Sequence, residues 1–356
     1  MTPRENLISL FKRKGYERAP VQFDLCPLQN EKFQQEIGNN NLNYTEYYKF
    51  PYRSAGDMTI KKVEPKTYIQ FYDKQLKKGT NIDIWGVARE PGSKECMHMN
   101  YMLHPMEKFD SLEQFKTYPF PDYLNGDNKC MKEKVDSLHK KGLASCGIMA
   151  CTLWEIGWYL RGMEQLMVDM MTESIMAEYL FEKLTNIACV RAAAYAKAGA
   201  DLILLGDDIG MQHTIMMSEE MYCTWIKPRM IRIIEAAKKI KPDIIIMYHS
   251  CGYIEPFIPH LIEEGIDVLN PIQPECMSFE KIHSEYKDVL SFFGTIGTQS
   301  VMPFGTPDDV KNEVIKNLKI AGSKGGLLCA PTHLIEPEVP WENIMAYVKT
   351  CRAFMP

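Results

Sequence analysis

Ile244-Ile245-Ile246-Met247-Tyr248-His249-Ser250-Cys251-Gly252 is the stretch on which the fold turns. An apolar run without polar alternation reads as a strand buried on both faces, the kind that parallel sheets use. The run stops on His-x-Cys and a glycine. Outward from it the same rhythm repeats from about residue 143 onward. Apolar runs at 143–150, 202–205, 268–269, 289–293 and 327–329 alternate with helical patterns at 174–198, 218–239, 254–264 and 308–321. Such alternation means an α/β sheet or barrel. Adding Val21-Gln22-Phe23-Asp24-Leu25 and a strand near 82–85 brings the count to about eight, which favours a single (β/α)8 TIM barrel over an open doubly wound sheet. No Gly-x-Gly-x-x-Gly follows the first strand, which argues against a dinucleotide fold. The chain opens on a helix: Thr2 is placed to cap it, Pro3 suits its first position, and Glu5 completes a capping box. Residues 26–140 lack this rhythm and read as insertions covering the barrel mouth, within one domain spanning 1–356.

Composition narrows the function classes. A net charge of -5 over 356 residues leaves no nucleic-acid footprint. No apolar run reaches the length of a membrane span, and the N-terminus lacks a signal-peptide pattern, so a cytoplasmic location is expected. Eleven cysteines, odd in number and scattered, fit reduced thiols rather than a disulfide framework.

Polar residues gather where each strand stops, and in a barrel those ends share one mouth. His249, Cys251 and Cys329 are the expected metal ligands. One imidazole and two thiolates suit zinc, and three protein ligands leave a position open for a substrate sulfur or oxygen. A cysteine at a strand end also reads as a small buried hydrophobe, so both readings stand. Asp208 and Gln273 are the catalytic candidates; they, or Asp207, would supply a fourth ligand or orient His249. Asp24, Asp207, His333 and Glu155 are the expected substrate contacts, although a strand-end acid also serves as a helix cap and His333 as a structural histidine. Cys26 and Cys276 are further thiols placed near the mouth. The aromatic stretch 44–52, like Trp154 and Trp158, reads first as packing and second as a partner surface.

Several blocks in order resemble the uroporphyrinogen decarboxylase superfamily, and within it the corrinoid-linked methyltransferases. They are Thr2-Pro3-Arg4-Glu5-Asn6 with Arg18-Ala19-Pro20-Val21, then Trp158-Tyr159-Leu160-Arg161-Gly162-Met163-Glu164, and Gly206-Asp207-Asp208-Ile209-Gly210-Met211-Gln212. His249-Ser250-Cys251-Gly252, Asn270-Pro271-Ile272-Gln273-Pro274 and Ala330-Pro331-Thr332-His333 complete the set. The resemblance implies a (β/α)8 barrel. True decarboxylases of the family hold a polycarboxylate with an N-terminal arginine cluster, but no arginine occurs here between Arg18 and Arg53. The thiol-directed methyltransferases carry a His-x-Cys…Cys zinc site, which His249, Cys251 and Cys329 match. The Gly-Asp-Asp…Gln block and Gln273-Pro274-Glu275-Cys276 look more like the branch that demethylates small methylated compounds.

The resemblance therefore implies a zinc enzyme moving a methyl group between a small methyl ether, thioether or thiol and the cobalt of a corrinoid (cobalamin). The chain has no Asp-x-His-x-x-Gly corrinoid motif, so the corrinoid would come on a separate protein. The small-molecule methyl donor or thiol acceptor would bind at the zinc, and the chain could pair as a homodimer. The rival readings are a decarboxylase of a small or porphyrin-type acid and a barrel that binds metal or corrinoid without turnover.

Overall fold

The computed structural model describes residues 1–93 and 100–356. Its centre is a curled, parallel, seven-stranded sheet built from β1 (Tyr52–Ser54), β5 (Ala144–Ala150), β6 (Leu202–Gly206), β7 (Ile245–His249), β8 (Val268–Asn270), β9 (Ser291–Phe293) and β10 (Leu327–Leu328), in that spatial order. Three further strands, β2 (Asn81–Ile82), β3 (Ala88–Glu90) and β4 (Tyr101–Leu103), form a separate antiparallel sheet. Apart from β1, the central strands are short and mostly apolar, and helices on the outside bury them from that face. Ile245, Ile246, Met247 and Tyr248 are all buried, as parallel strands covered on both sides must be.

The sequence places six of the seven central strands to within two residues. It differs at the other barrel positions. Residues 21–25 form no ladder; Leu25 makes one isolated parallel bridge to Ile335. Seen from the sheet, the gap between β10 and β1 is therefore spanned by single contacts, among them the Ile335 N–H donating to the Asp24 carbonyl and the Cys26 N–H donating to the Ile335 carbonyl. The run at 81–87 belongs to the small sheet instead, because Asn81 and Ile82 pair locally with Arg89 and Ala88. The strand beside β5 is Tyr52–Ser54, three half-exposed residues with no apolar run to announce them.

Helix ends follow local chemistry. Thr2 and Glu5 form the expected capping box on Pro3–Phe11, whose Leu7, Leu10 and Phe11 enter the core. Ser174 caps Ile175–Ala198, the longest helix described, and Gly199 closes it in the left-handed conformation. The segment 218–239 is not one helix: it breaks at Ile226 into Glu219–Trp225 and Lys227–Lys238, with Pro228 in the first turn of the second. The aromatic stretch near 44–52 is packing, as Phe23 meets Tyr44, Tyr48 and Phe50 ring to ring. Trp154 is fully buried as well. The small sheet leans on helix Trp154–Arg161, where His104 Nδ1 lies 2.9 Å from the Tyr159 carbonyl. The ten described cysteines are all unpaired. Among the described residues, no helix is long and apolar enough to cross a membrane.

Candidate metal centre

His249 is the last residue of β7, and its register neighbours on either side are Gly206 of β6 and Asn270 of β8. Both neighbours shape the site. A Cβ on Gly206 would stand 2.2 Å from the His249 carbonyl oxygen, so only glycine lets the two strand ends meet this closely. On the other side Asn270 Oδ1 lies 2.7 Å from His249 Nδ1. The amide's own Nδ2 donates to the Phe293 carbonyl at 2.9 Å, which fixes which end of the amide faces the ring. Nδ1 must then carry the proton, and Nε2 presents a lone pair, the tautomer a metal ligand needs.

That lone pair faces two other donors. His249 Nε2 lies 3.6 Å from Cys251 Sγ and 3.8 Å from Asp208 Oδ1. All three ligand atoms fall within 4.8 Å of one another, the one such group of three among the described residues. Tetrahedral zinc with ordinary N, O and S bond lengths puts its ligands roughly 3.4–3.6 Å apart. The donor set fits a borderline-soft divalent ion held by one imidazole, one thiolate and one carboxylate.

Backbone geometry holds the group together. Asp208 Oδ1 accepts the Cys251 N–H at 2.8 Å, and Gln273 Oε1 accepts the Gly252 N–H at 2.7 Å. Gly252 has φ +85° and lies against the Met211 carbonyl, where a Cβ would come within 2.7 Å. Burial, followed by the charges of Asp208 and Glu155, pushes the Cys251 thiol well above its ordinary value. An acid group with no cation beside it behaves this way, and a metal ion would reverse the shift by binding the thiolate.

The other expected residues sort by position. Glu155 stands behind the group; its carboxylate accepts the Tyr159 hydroxyl at 2.7 Å and the Asp208 N–H at 3.3 Å. Burial and the charge of Asp208 push it up. Asp207 is fully buried and accepts the N–H groups of Thr152, Leu153 and Glu155, so it anchors the start of helix Trp154–Arg161 and offers no surface to a substrate. Burial, then the charge of Glu155, pushes it up to about 8. Asp24 and His333 are open to water yet flanked by protein, as residues on a concave wall are. Burial raises the first and lowers the second, and His249 adds to the lowering of His333. His333 shares a cavity of about 410 Å³ with Asp208, Cys251 and Gln273.

Cys329 is not part of the group. Its side chain is buried, with Sγ 3.9 Å from Thr295 Oγ1 and the Cys351 thiol beside it, on helix Trp341–Ala353. Asp208 stands where the second thiolate was expected. Asn270 is a further functional residue, and the signal that marks it is its register position beside His249, visible only once the strands are aligned.

The family profile described as uroporphyrinogen decarboxylase (URO-D) matches residues 105–354. The chain belongs to the uroporphyrinogen decarboxylase family. Among solved structures it is similar to a methyltransferase from Methanosarcina mazei, with TM-score 0.66 and 16% identity over 99% of this chain and 98% of that one. Fainter likenesses include a psychrophilic family 10 endo-β-1,4-xylanase (TM-score 0.39, 12% identity, 64% of this chain and 81% of that one). A family 18 chitinase from Pseudoalteromonas aurantia gives TM-score 0.35 and 14% identity over 62% of this chain and 81% of that one. No curated protein matches the sequence. The URO-D family match takes in Asp208, His249, Cys251 and the cavity beside them. Among the described residues, neither Lys nor Arg lines that cavity, whereas holding a polycarboxylate requires cations.

Proposed function

We propose that this chain is a zinc-dependent methyltransferase, with the metal held by Asp208, His249 and Cys251. It moves a methyl group between a small methyl ether, thioether or thiol and the cobalt of a corrinoid on a separate protein. The observation that carries the reading is the donor trio, with the His249 tautomer set by Asn270. Its resemblance in fold to a methyltransferase over nearly the whole chain supports the reaction class.

Bound there, zinc would supply Lewis acidity to the heteroatom that bears or receives the methyl group. The chain's own residues do the rest. Asn270 keeps the His249 proton on Nδ1. Gln273 ties the turn after Cys251 and faces the substrate from the cavity wall. Glu155, accepting the Tyr159 hydroxyl and the Asp208 N–H, backs the donor trio on the side away from the cavity. His333 and Asp24 contact the substrate from the rim. Asp207 contributes by holding helix Trp154–Arg161, which carries Glu155. Asp24 adjoins the single bridge of Leu25 to Ile335, two residues from His333, which supports its place at the same mouth.

Elemental analysis tests the reading. About one zinc per chain is expected in the wild type, lost in Cys251→Ala and Asp208→Ala and kept in Cys329→Ala. Loss in Cys329→Ala would restore that thiol as a ligand. Full methyl transfer by metal-free protein would overturn the mechanism. Methyl transfer is then measured with and without an added corrinoid protein, against thiols and methyl ethers.

A further inference from the structure

Gln273 holds a hydrogen-bond donor that the rest of the protein does not use. The residue is 4% exposed and lines the cavity beside Asp208 and Cys251. Its Oε1 accepts the Gly252 N–H at 2.7 Å. That N–H needs an acceptor, so the amide cannot be turned end for end, and Nε2 takes the other side. Among the described residues Nε2 finds no acceptor, yet it is not sealed off and opens on the cavity. The backbone around it is pinned as well. The Gln273 carbonyl accepts the N–H groups of Cys276 and Met277, at 2.9 and 2.8 Å, and Pro271 and Pro274 stand on either side.

A buried, oriented donor is unfavourable unless something satisfies it. Gln273 does not orient His249, which Asn270 does, and its oxygen is held by Gly252 rather than offered to a metal. Its neighbours on the wall differ. Thr298 Oγ1 is paired with Thr332 Oγ1 at 3.1 Å, and Gln212 and Gln299 are exposed to bulk water. The donor is also close to the metal group along the chain, because Gly252 directly follows Cys251. A molecule whose heteroatom sits at the metal therefore brings its next few atoms past Nε2.

We propose that Gln273 Nε2 reads an oxygen atom of the substrate, placed a few atoms from the heteroatom at the metal. The substrate is then an oxygen-bearing compound, with an ether, hydroxyl or carbonyl at that position, and a plain alkyl thiol or thioether is a poor ligand. This deepens the metal-centre reading and rests on it. An oxygen acceptor does for the donor what water does, whereas a methylene does not. Covering the donor with a methylene weakens binding by about tenfold.

The test uses cobalt(II)-loaded full-length protein and two isosteric thiols, 2-methoxyethanethiol and 1-butanethiol, which differ by an ether oxygen in place of a methylene. Binding is read as thiolate-to-cobalt charge-transfer absorbance. The oxygen-to-methylene affinity ratio is compared between wild type, Gln273→Glu and Gln273→Met, so that intrinsic thiol acidity and hydrophobicity cancel. Gln273→Glu keeps an acceptor for Gly252 and puts an oxygen where the donor was. Gln273→Met removes the donor without adding charge. The ratio should be about tenfold higher in wild type than in either variant. An unchanged ratio in a variant that takes up cobalt, or cobalt uptake by wild type with no response to either thiol, would overturn the proposal and leave the metal centre intact. Loss of cobalt from both variants would make Gln273 a part of the metal-holding turn and overturn the proposal too. No cobalt uptake by wild type would overturn both readings.

Discussion

Replacing Asn270 with alanine separates metal chemistry from fold stability. Asn270 is buried and makes two hydrogen bonds, one accepted from His249 Nδ1 at 2.7 Å and one donated to the Phe293 carbonyl at 2.9 Å. Losing the first frees the imidazole to rotate and to carry its proton on Nε2. Loss of such an outer partner weakens metal binding by about 10- to 100-fold, equivalent to ~1.4–2.7 kcal/mol. Losing the second leaves a buried carbonyl unpaired, which costs about 1–3 kcal/mol of stability. Asn270→Asp keeps an acceptor for Nδ1 but turns a carboxylate oxygen toward the Phe293 carbonyl. It should therefore bind zinc almost as tightly as wild type while losing at least as much stability. Chelator competition measures the first quantity, and urea unfolding of metal-free protein the second. If Asn270→Ala holds zinc as tightly as wild type, the tautomer argument fails. If Asn270→Asp loses metal in proportion to stability, the residue serves the fold alone.

Three other substitutions probe the frame around the site. Gly206→Ala forces a Cβ to within 2.2 Å of the His249 carbonyl; the strand ends must part, so thermal unfolding should show a loss of about 3 kcal/mol or more, with metal binding lost too. An unchanged melting temperature would contradict the close approach. Glu264, 4% exposed and accepting the Tyr222 hydroxyl at 2.7 Å, is pushed up to about 8 by burial. The folded protein thus holds this proton more tightly than the unfolded chain, so the group's contribution to stability falls as pH rises from about 4.5 to about 8 and then levels off. Glu264→Gln should remove that part of the pH dependence, on the order of a few kcal/mol at most, in denaturant titrations at pH 5 and pH 8. Asp169→Ala leaves the buried guanidinium of Arg161 without its carboxylate, 2.7 Å away, and should cost about 3–5 kcal/mol in urea unfolding; a change under about 1 kcal/mol would mean that the carbonyls of Met106 and Phe109 suffice for that cation.

What the sequence determined by itself is the regular half of the molecule. From β5 onward nearly every strand residue is buried, Ile148 being the exposed exception, so burial writes mostly apolar runs that need no partner to be recognised. Helix caps are equally local, as Thr2 with Glu5 and Ser174 show. His249 and Cys251 were also legible, because two donors a residue apart at the end of a buried strand sit on the same face of the chain. Tertiary structure decided the rest. Tyr52–Ser54 joins the central sheet through pairing to Ala144, Ser145 and Cys146, with no apolar run of its own. The more apolar 21–25 makes one bridge, and 81–87 finds a local partner. Which side chains meet in the donor trio turned on side-chain direction. Successive residues at a strand end face opposite ways, and a shift of one residue exchanges mouth for core. Cys329 lies against Cys351 in the core, while Asp208 reaches His249 across the end of β6. Neither direction, nor the Asn270 bond that sets the imidazole, is written in spacing, because each depends on the register between strands far apart in the chain.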